Sequence, residues 1–159
     1  MIFSEDQLER YSRQFVLPSI GVAGQKKLLA AKVLVIGAGA LGSAALLYLA
    51  AVGVGTIGIA DYDVVELSNL QRQVVHRTDR VGTGKVCSAA DTVKALNPEV
   101  EVRMHGGRVT PDNIMALIAP YDFIVDGTDR FETKLLINDA CVIAGKPFSH
   151  AGIVRLEGQ

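Results

Sequence analysis

One junction constrains this chain more than any other stretch. Lys32-Val-Leu-Val-Ile36 runs straight into Gly37-Ala-Gly-Ala-Leu-Gly42, and an alanine- and leucine-rich segment, Ser43–Val52, follows at once. Consecutive β-prone apolar residues without polar alternation describe a strand covered on both faces. In the succession strand, G-x-G-x-x-G, helix, each glycine has a task. Gly37 permits the tight turn, Gly39 lets backbone approach a phosphate, and Gly42 lets the helix pack close to the sheet. A turn of this kind can also be purely structural, so the motif by itself leaves both uses open.

The remaining elements extend the same pattern. Ser4 caps a short acidic-to-basic helix that leads into Arg10 and Arg13, and Gly24–Ala31 reads as a second helix. Thr56–Ala60 forms a second strand, Lys85 to about Leu96 a helix stopped by Asn97-Pro98, and Val100–Met104 a third strand near a sheet edge. Thr110-Pro111 opens a further helix, with Thr110 as cap and Pro111 at the first helical position, ending before Pro120. Tyr121–Val125 is the fourth strand, Arg130–Ala144 a helix closed by Gly145, and Pro147–Ala151 the fifth strand. Strands alternating with helices predict a doubly wound α/β domain with a mainly parallel sheet and helices on both faces. Residues 1–159 are expected to be one domain, with 1–31 as a helical N-terminal extension and 32–159 as the core.

Charge and composition exclude several classes. Sixteen Lys and Arg against seventeen Asp and Glu give a net charge of −1, which argues against a general nucleic-acid or membrane-surface footprint. No apolar run reaches the ~20 residues of a spanning helix, and Met1-Ile-Phe-Ser-Glu-Asp6 does not read as a signal peptide. Cys87 and Cys141 stand far apart in helix-like sequence, so they read as buried small hydrophobes or free thiols rather than a disulfide or metal pair, in a reducing, cytoplasmic setting. His76, His105 and His150 have no metal-ligand spacing.

The chemistry gathers at predicted carboxyl ends of strands, where open α/β sheets bind ligands. After Thr56–Ala60 comes Asp61-Tyr-Asp-Val-Val-Glu-Leu-Ser-Asn-Leu-Gln-Arg-Gln73, and after the fourth strand Asp126-Gly-Thr-Asp129. Asp61 lies roughly 20 residues past the glycine motif, the usual place of an acid that accepts hydrogen bonds from ribose hydroxyls; capping the following turn is its plainer use. Gly84-Lys85 lacks the flanks of a Walker motif, so Lys85 is either a solitary charge aimed at a phosphate or a surface lysine. Asp61, Asp126 and Asp129 with the cations Arg13, Arg72 and Lys85 and the Gly37–Gly42 amides suit a nucleoside triphosphate and Mg²⁺, which takes one or two protein carboxylates and fills its shell with water and phosphate oxygens. No residue stands out as a covalent nucleophile.

Five segments taken together resemble one family in the right order. Arg10-Tyr-Ser-Arg-Gln14, the glycine motif, Asp61-x-Asp-x-Val-x-x-Ser-Asn-Leu-Gln-Arg-Gln73, Lys85 and Asp126-Gly-Thr-Asp129 are similar to the bacterial ThiF/MoeB/HesA adenylyltransferases and to the adenylation domain of ubiquitin-activating enzymes. The resemblance implies a Rossmann-like fold and ATP-dependent adenylation, with release of pyrophosphate, of the C-terminal Gly-Gly carboxylate of a ubiquitin-like sulfur carrier, as in thiamine, molybdopterin or related sulfur-transfer pathways. It implies that Asp61 holds the ribose and Gly37, Gly39, Ala40 and Gly42 line the nucleotide. Asp63, Ser68, Asn69, Leu70, Gln71, Arg72, Lys85 and Arg130 complete that wall, with Asn69 and Arg72 on the phosphates. Lys85 neutralises phosphate charge, Asp129 binds Mg²⁺, and Arg13 enters the site of a partner subunit in a homodimer.

Two positions depart from the family. Ala40 follows Gly39 where Gly-Gly is common, and Arg130 follows Asp129 where Asn is common. The family's crossover region and its structural zinc site, of paired C-x-x-C, are not covered by this chain. Two rival expectations remain: an NAD-dependent oxidoreductase, which leaves Ser68–Gln73, Lys85 and Asp129 unexplained, and a non-catalytic module that binds a ubiquitin-like partner.

Overall fold

The computed structural model describes residues 3–159; the first two residues of the expected unprocessed N-terminus lie outside the described residues. Three short helices, α1 (Glu5–Arg10), α2 (Ser12–Phe15) and α3 (Gly21–Ala30), precede the sheet. The Ser4 side chain accepts from the Gln7 amide while Gln7 reaches back to the Ser4 amide, the reciprocal pair that holds the first turn of α1. Tyr11, 1% exposed, anchors this helical unit: its hydroxyl accepts from Asn97 Nδ2 at 3.0 Å.

Strand β1 (Lys32–Ile36) is central. Strands β2 (Thr56–Ala60) and β3 (Glu101–His105) lie on one side of it, β4 (Phe123–Asp126) and β5 (Phe148–His150) on the other, giving the order β3-β2-β1-β4-β5 with every pairing parallel. Helices α4 (Ala40–Ala51) and α5 (Lys85–Leu96) pack on one face; α6 (Ile114–Ile118) and α7 (Phe131–Ala144) pack on the other. The β1 side chains explain why both faces are filled. Val33 and Val35 enter a core with Leu46, Ile57, Ile59, Ala89 and Val93, whereas Leu34 and Ile36 enter one with Ile118, Ile124, Ile137 and Cys141. The doubly wound parallel sheet expected from the sequence is thus present, with β3 at its edge.

The differences are local. Thr110 and Pro111 do not start α6. Asn113 does, and its Oδ1 accepts from the Thr110 amide while its Nδ2 donates to the Arg108 carbonyl, so the Asx side chain ties up a turn in place of a Pro-led helix. Tyr121 precedes β4 and is a core residue whose hydroxyl meets His105 Nε2 at 2.7 Å. Helix α4 begins three residues early, inside the glycine motif, because nothing in Ala40-Leu-Gly42 interrupts it. The C-terminal stretch forms a small antiparallel hairpin, β6 (Ile153–Val154) and β7 (Glu157–Gly158). Among the described residues no helix is long and apolar enough to cross a membrane.

Candidate active site

Chain direction reverses at β1: the chain leaves it toward β2 and β3, then returns on its other side as β4. Such a switch point opens a crevice beyond the carboxyl ends of the strands. Here the crevice measures about 940 Å³ and is lined by the glycine loop, Asp61, Tyr62, Asp63, Arg72, Gln73, Lys85, Arg108, Thr128, Asp129, Arg130, Lys134 and His150, among others.

The loop that floors it is built by close backbone contact. Gly37 has φ +93°, and a Cβ there would sit 2.8 Å from the Gly127 carbonyl oxygen, so loops from β1 and β4 abut. A Cβ on Gly42 would lie 1.8 Å from the Gly37 carbonyl oxygen, which no side chain tolerates. Gly39 is different: only Gln73 Nε2, at 3.8 Å, approaches that position, so the loop surface above it is open. The first amides of α4 lack intrahelical acceptors and carry the positive end of the helix dipole, which favours an anion. Ala40, the departure from the family pattern, is the first residue of that helix and lines the crevice.

Asp61 binds the loop to the end of β2. One carboxylate oxygen accepts from the Ala38 amide at 2.7 Å, the other from the Asp63 amide at 2.8 Å. Both uses foreseen for Asp61 are therefore compatible, since an ionised carboxylate has about four acceptor sites and two are used. On the opposite side of Ala38, the buried His76 ring donates from Nε2 to the Ala38 carbonyl at 2.9 Å, and Nδ1 accepts from Ser88 Oγ at 3.0 Å. Burial lowers the His76 pKa below its ordinary value, as does the Lys85 charge, while the bond to Ala38 opposes the shift; the neutral ring is the form that fits.

Lys85 reaches the crevice because residues 63–65 run antiparallel beside 82–85. Val64 pairs with Gly84, the Lys85 amide donates to the Asp63 carbonyl, and Lys85 Nζ meets Asp63 Oδ2 at 3.2 Å. The lysine is buried while Asp63 is half exposed, which fixes a positive charge at the wall. Arg72, exposed on the same wall, donates to the Ser68 carbonyl at 3.2 Å. Ser68, Asn69, Leu70 and Gln71 are not among the lining residues. Asn69 is buried and holds a 3₁₀ turn by accepting from the Glu66 amide, so its side chain builds the wall that carries Arg72. Arg13 lies exposed on α2, away from the crevice of its own chain.

At the β4 end, two acids three residues apart diverge. Asp126 is buried, and its carboxylate accepts from Thr128 N and Oγ1, Lys134 Nζ and His150 Nδ1 at 2.7 to 3.0 Å. The sequence groups it with the ligand-facing acids, but the structure makes it an internal fixture, occupied by four donors. Asp129 is exposed and lines the crevice. Among the described residues no three His, Cys, Asp or Glu side chains gather as a metal cage. A lone carboxylate beside a phosphate cradle fits Mg²⁺, whose shell is completed mainly by phosphate and water, and does not fit zinc.

Several lining residues escaped the sequence reading. Gln73 is buried with its Nε2 beside Gly39, and its Oε1 is a buried acceptor without a partner among the described residues. Its place at the end of the Ser68–Gln73 motif was a usable signal. Tyr62 spans the mouth: Arg108 lies 4.8 Å from its ring centroid, and Arg108 and Arg130 donate to its hydroxyl at 3.2 and 3.5 Å. These bonds, that from Arg108 foremost, lower the Tyr62 pKa. Lys134 and His150 carried no sequence signal, because their tie to Asp126 arises only when β4, α7 and β5 come together.

A parallel α/β sheet whose switch-point crevice presents a glycine loop, a strand-end acid and opposed cations defines a Rossmann-like domain with a crevice suited to a nucleotide. The chain belongs to the ThiF family, whose model matches residues 11–159. It is 55% identical over 156 residues to a probable adenylyltransferase/sulfurtransferase MoeZ of Mycobacterium tuberculosis, covering 98% of this chain and 40% of that protein. It is 44% identical over 159 residues to the sulfur carrier protein adenylyltransferase of Thermus thermophilus, covering 100% of this chain and 59% of that one. The chain thus spans about two fifths to three fifths of these relatives. Among solved structures, E. coli tRNA N6-threonylcarbamoyladenosine dehydratase, TcdA, in complex with ATP matches with TM-score 0.87 and 28% identity, over 93% of this chain and 60% of that one.

Proposed function

We propose that this chain is the ATP-binding part of an enzyme that adenylates the C-terminal Gly-Gly carboxylate of a ubiquitin-like sulfur carrier. The observation that carries the reading is the alignment of Arg72, Lys85 and Asp129 around the open surface of the Gly39 loop in one crevice. An ATP molecule with its ribose at Asp61 has its phosphates over the α4 amides. The carrier carboxylate, ionised at neutral pH, needs no base to attack the α-phosphorus. Its oxygen forms the new P–O bond as the bond to pyrophosphate breaks, and charge moves onto the leaving oxygens. Lys85 and Arg72 stabilise that charge without reorganising, since both are held by the wall that carries them. Mg²⁺ held by Asp129 supplies additional charge neutralisation on the phosphates when bound.

Further parts of the reading concern the assembly. Arg13, exposed and remote from its own crevice, serves the site of a second copy in a homodimer. Two free thiols, one exposed on Cys87 and one buried on Cys141, suit a reducing cytoplasm. The name of one relative, sulfur carrier protein adenylyltransferase, supports the substrate class.

The test is carrier-dependent exchange of labelled pyrophosphate into ATP. Exchange that requires ATP, Mg²⁺ and a carrier with a free Gly-Gly carboxylate is the expected result, and its absence refutes the reading. A thermal-shift titration with ATP and NAD separates it from a dehydrogenase. For Arg13, an Arg13→Ala chain mixed with an Asp129→Asn chain regains part of the activity if the arginine works across the dimer, and heterodimers without activity count against it.

A further inference from the structure

We propose that His150, oriented by the buried Asp126, is the proton acceptor for a thiol that attacks the acyl-adenylate, so that this crevice carries out acyl transfer as well as activation. The inference rests on the adenylation reading and extends it to the next step.

Position along the sheet is the first argument. The carboxyl ends of the strands stand in the order β3, β2, β1, β4, β5, and the lining residues follow that order: Arg108, Asp61 with Tyr62, the glycine loop, Asp129, His150. With the ribose at the β2 end and the phosphates over β1, the acyl group bonded to the α-phosphate extends toward β4 and β5. His150 lies at that end of the row with a side chain that is 45% exposed, and Lys134 and Glu157 line the crevice beside it.

The hydrogen bonds define what the ring can do. An ionised carboxylate only accepts, so the 3.0 Å contact between Asp126 Oδ2 and His150 Nδ1 places the ring hydrogen on Nδ1. Nε2 has no partner among the described residues, and in this tautomer it carries the lone pair. Lys134 Nζ, 3.0 Å from the same oxygen and also donating to the Ala151 carbonyl, already balances the Asp126 charge. Thr128 donates to the other carboxylate oxygen through its amide and its hydroxyl, which locks the carboxylate plane. A buried acid that orients an imidazole with one free nitrogen facing a crevice is the arrangement of a general base and its positioning group.

The second step needs such a group and the first does not. A carboxylate is ionised at neutral pH, but a thiol, with a usual pKa near ~8.5, is mostly protonated. As the sulfur lone pair forms the S–C bond to the acyl carbon, the S–H proton passes to His150 Nε2. The C–O bond to the adenylate breaks, its electron pair stays on the phosphate oxygen, and AMP departs. Nothing is oxidised or reduced. The thiol class accords with the sulfurtransferase half of the MoeZ name.

The experiment supplies the intermediate directly, as the synthetic acyl-adenylate of a peptide ending in Gly-Gly. Transfer is then read whether or not the chain forms the adenylate itself, and failure of the adenylation reading shows separately in pyrophosphate exchange. Thioester formation is followed with dithiothreitol, protonated at neutral pH, and with 5-thio-2-nitrobenzoate, which is already a thiolate. His150→Ala is expected to slow the dithiothreitol reaction by about a hundredfold or more, to affect the thiolate by only a few-fold, and to recover part of its rate when imidazole is added. His150→Gln keeps a donor for Asp126 and is expected to lose the same activity; it decides the matter if the alanine variant does not fold. Equal losses with both thiols, no loss in either variant, or no rescue by imidazole overturns the proposal.

Discussion

The two ends of the crevice are built in opposite ways. At the β2 end, Asp61, Asp63, Arg72 and Gln73 come from one continuous segment, and Lys85 joins them through the antiparallel bridge between Val64 and Gly84. At the β4–β5 end, Asp126, Lys134 and His150 come from three elements and share one carboxylate oxygen. The first end uses a partly exposed acid to fix backbone amides. The second uses a buried acid to fix cations and a ring. Polar groups near water are tuned by local turns, whereas a buried charge has to be met by partners from elsewhere in the fold.

That contrast makes acids at the two ends unequal. Asp126→Ala is expected to have the largest effect, a loss of about 3–5 kcal/mol in urea unfolding, because Lys134 is left buried without its counterion. A loss below about 1 kcal/mol would mean that water replaces the carboxylate, and the buried end would then resemble the open one. Asp61→Ala removes the acceptor for two amides and is expected to cost about 2 kcal/mol. It should also weaken ATP binding, measured by calorimetry, since the glycine loop loses its tie to β2.

A smaller effect depends on pH. Burial holds the His76 and His105 pKa values below the ordinary imidazole value, so the unfolded chain takes up these protons first as pH falls. The stability from these two rings is full above about pH 6.5 and is lost progressively below it, toward the depressed folded values. In His76→Gln, unfolding free energy measured across that window should depend less on pH than in the unsubstituted protein; an unchanged slope would assign the effect to other groups. Asp129→Asn should have the smallest effect on the fold, within about 0.5 kcal/mol. It should nevertheless abolish carrier-dependent pyrophosphate exchange, and exchange at the unsubstituted rate would remove Asp129 from the metal.

The same division separates what was legible in the sequence from what was not. The β1–loop–α4 unit could be read because its demands are local: apolar run, Gly37 at positive φ, Gly42 against the Gly37 carbonyl. Asp61 and Lys85 could be placed for the same reason. Asp126 was misjudged because its sequence surroundings match those of Asp129, and only the packing of α7 and β5 buries one and exposes the other. The role of Asn69 in its own turn, where its Oδ1 accepts from the Glu66 amide, is not legible because it depends on the local 3₁₀ geometry. Tyr62 and Arg108, 46 residues apart, meet only because β3 lies beside β2.

The clasp on Ala38 has a consequence for motion. Asp61 holds the amide on one side of its Cα, and His76 holds the carbonyl on the other, so neither of the two peptide planes that meet there can rotate freely. Glycine loops ordinarily exchange their amide hydrogens quickly, but the Ala38 amide should be protected almost like one inside a strand. A ligand entering above Gly39 then meets a loop that is already held at Ala38, and little of its binding energy is diverted into ordering that peptide.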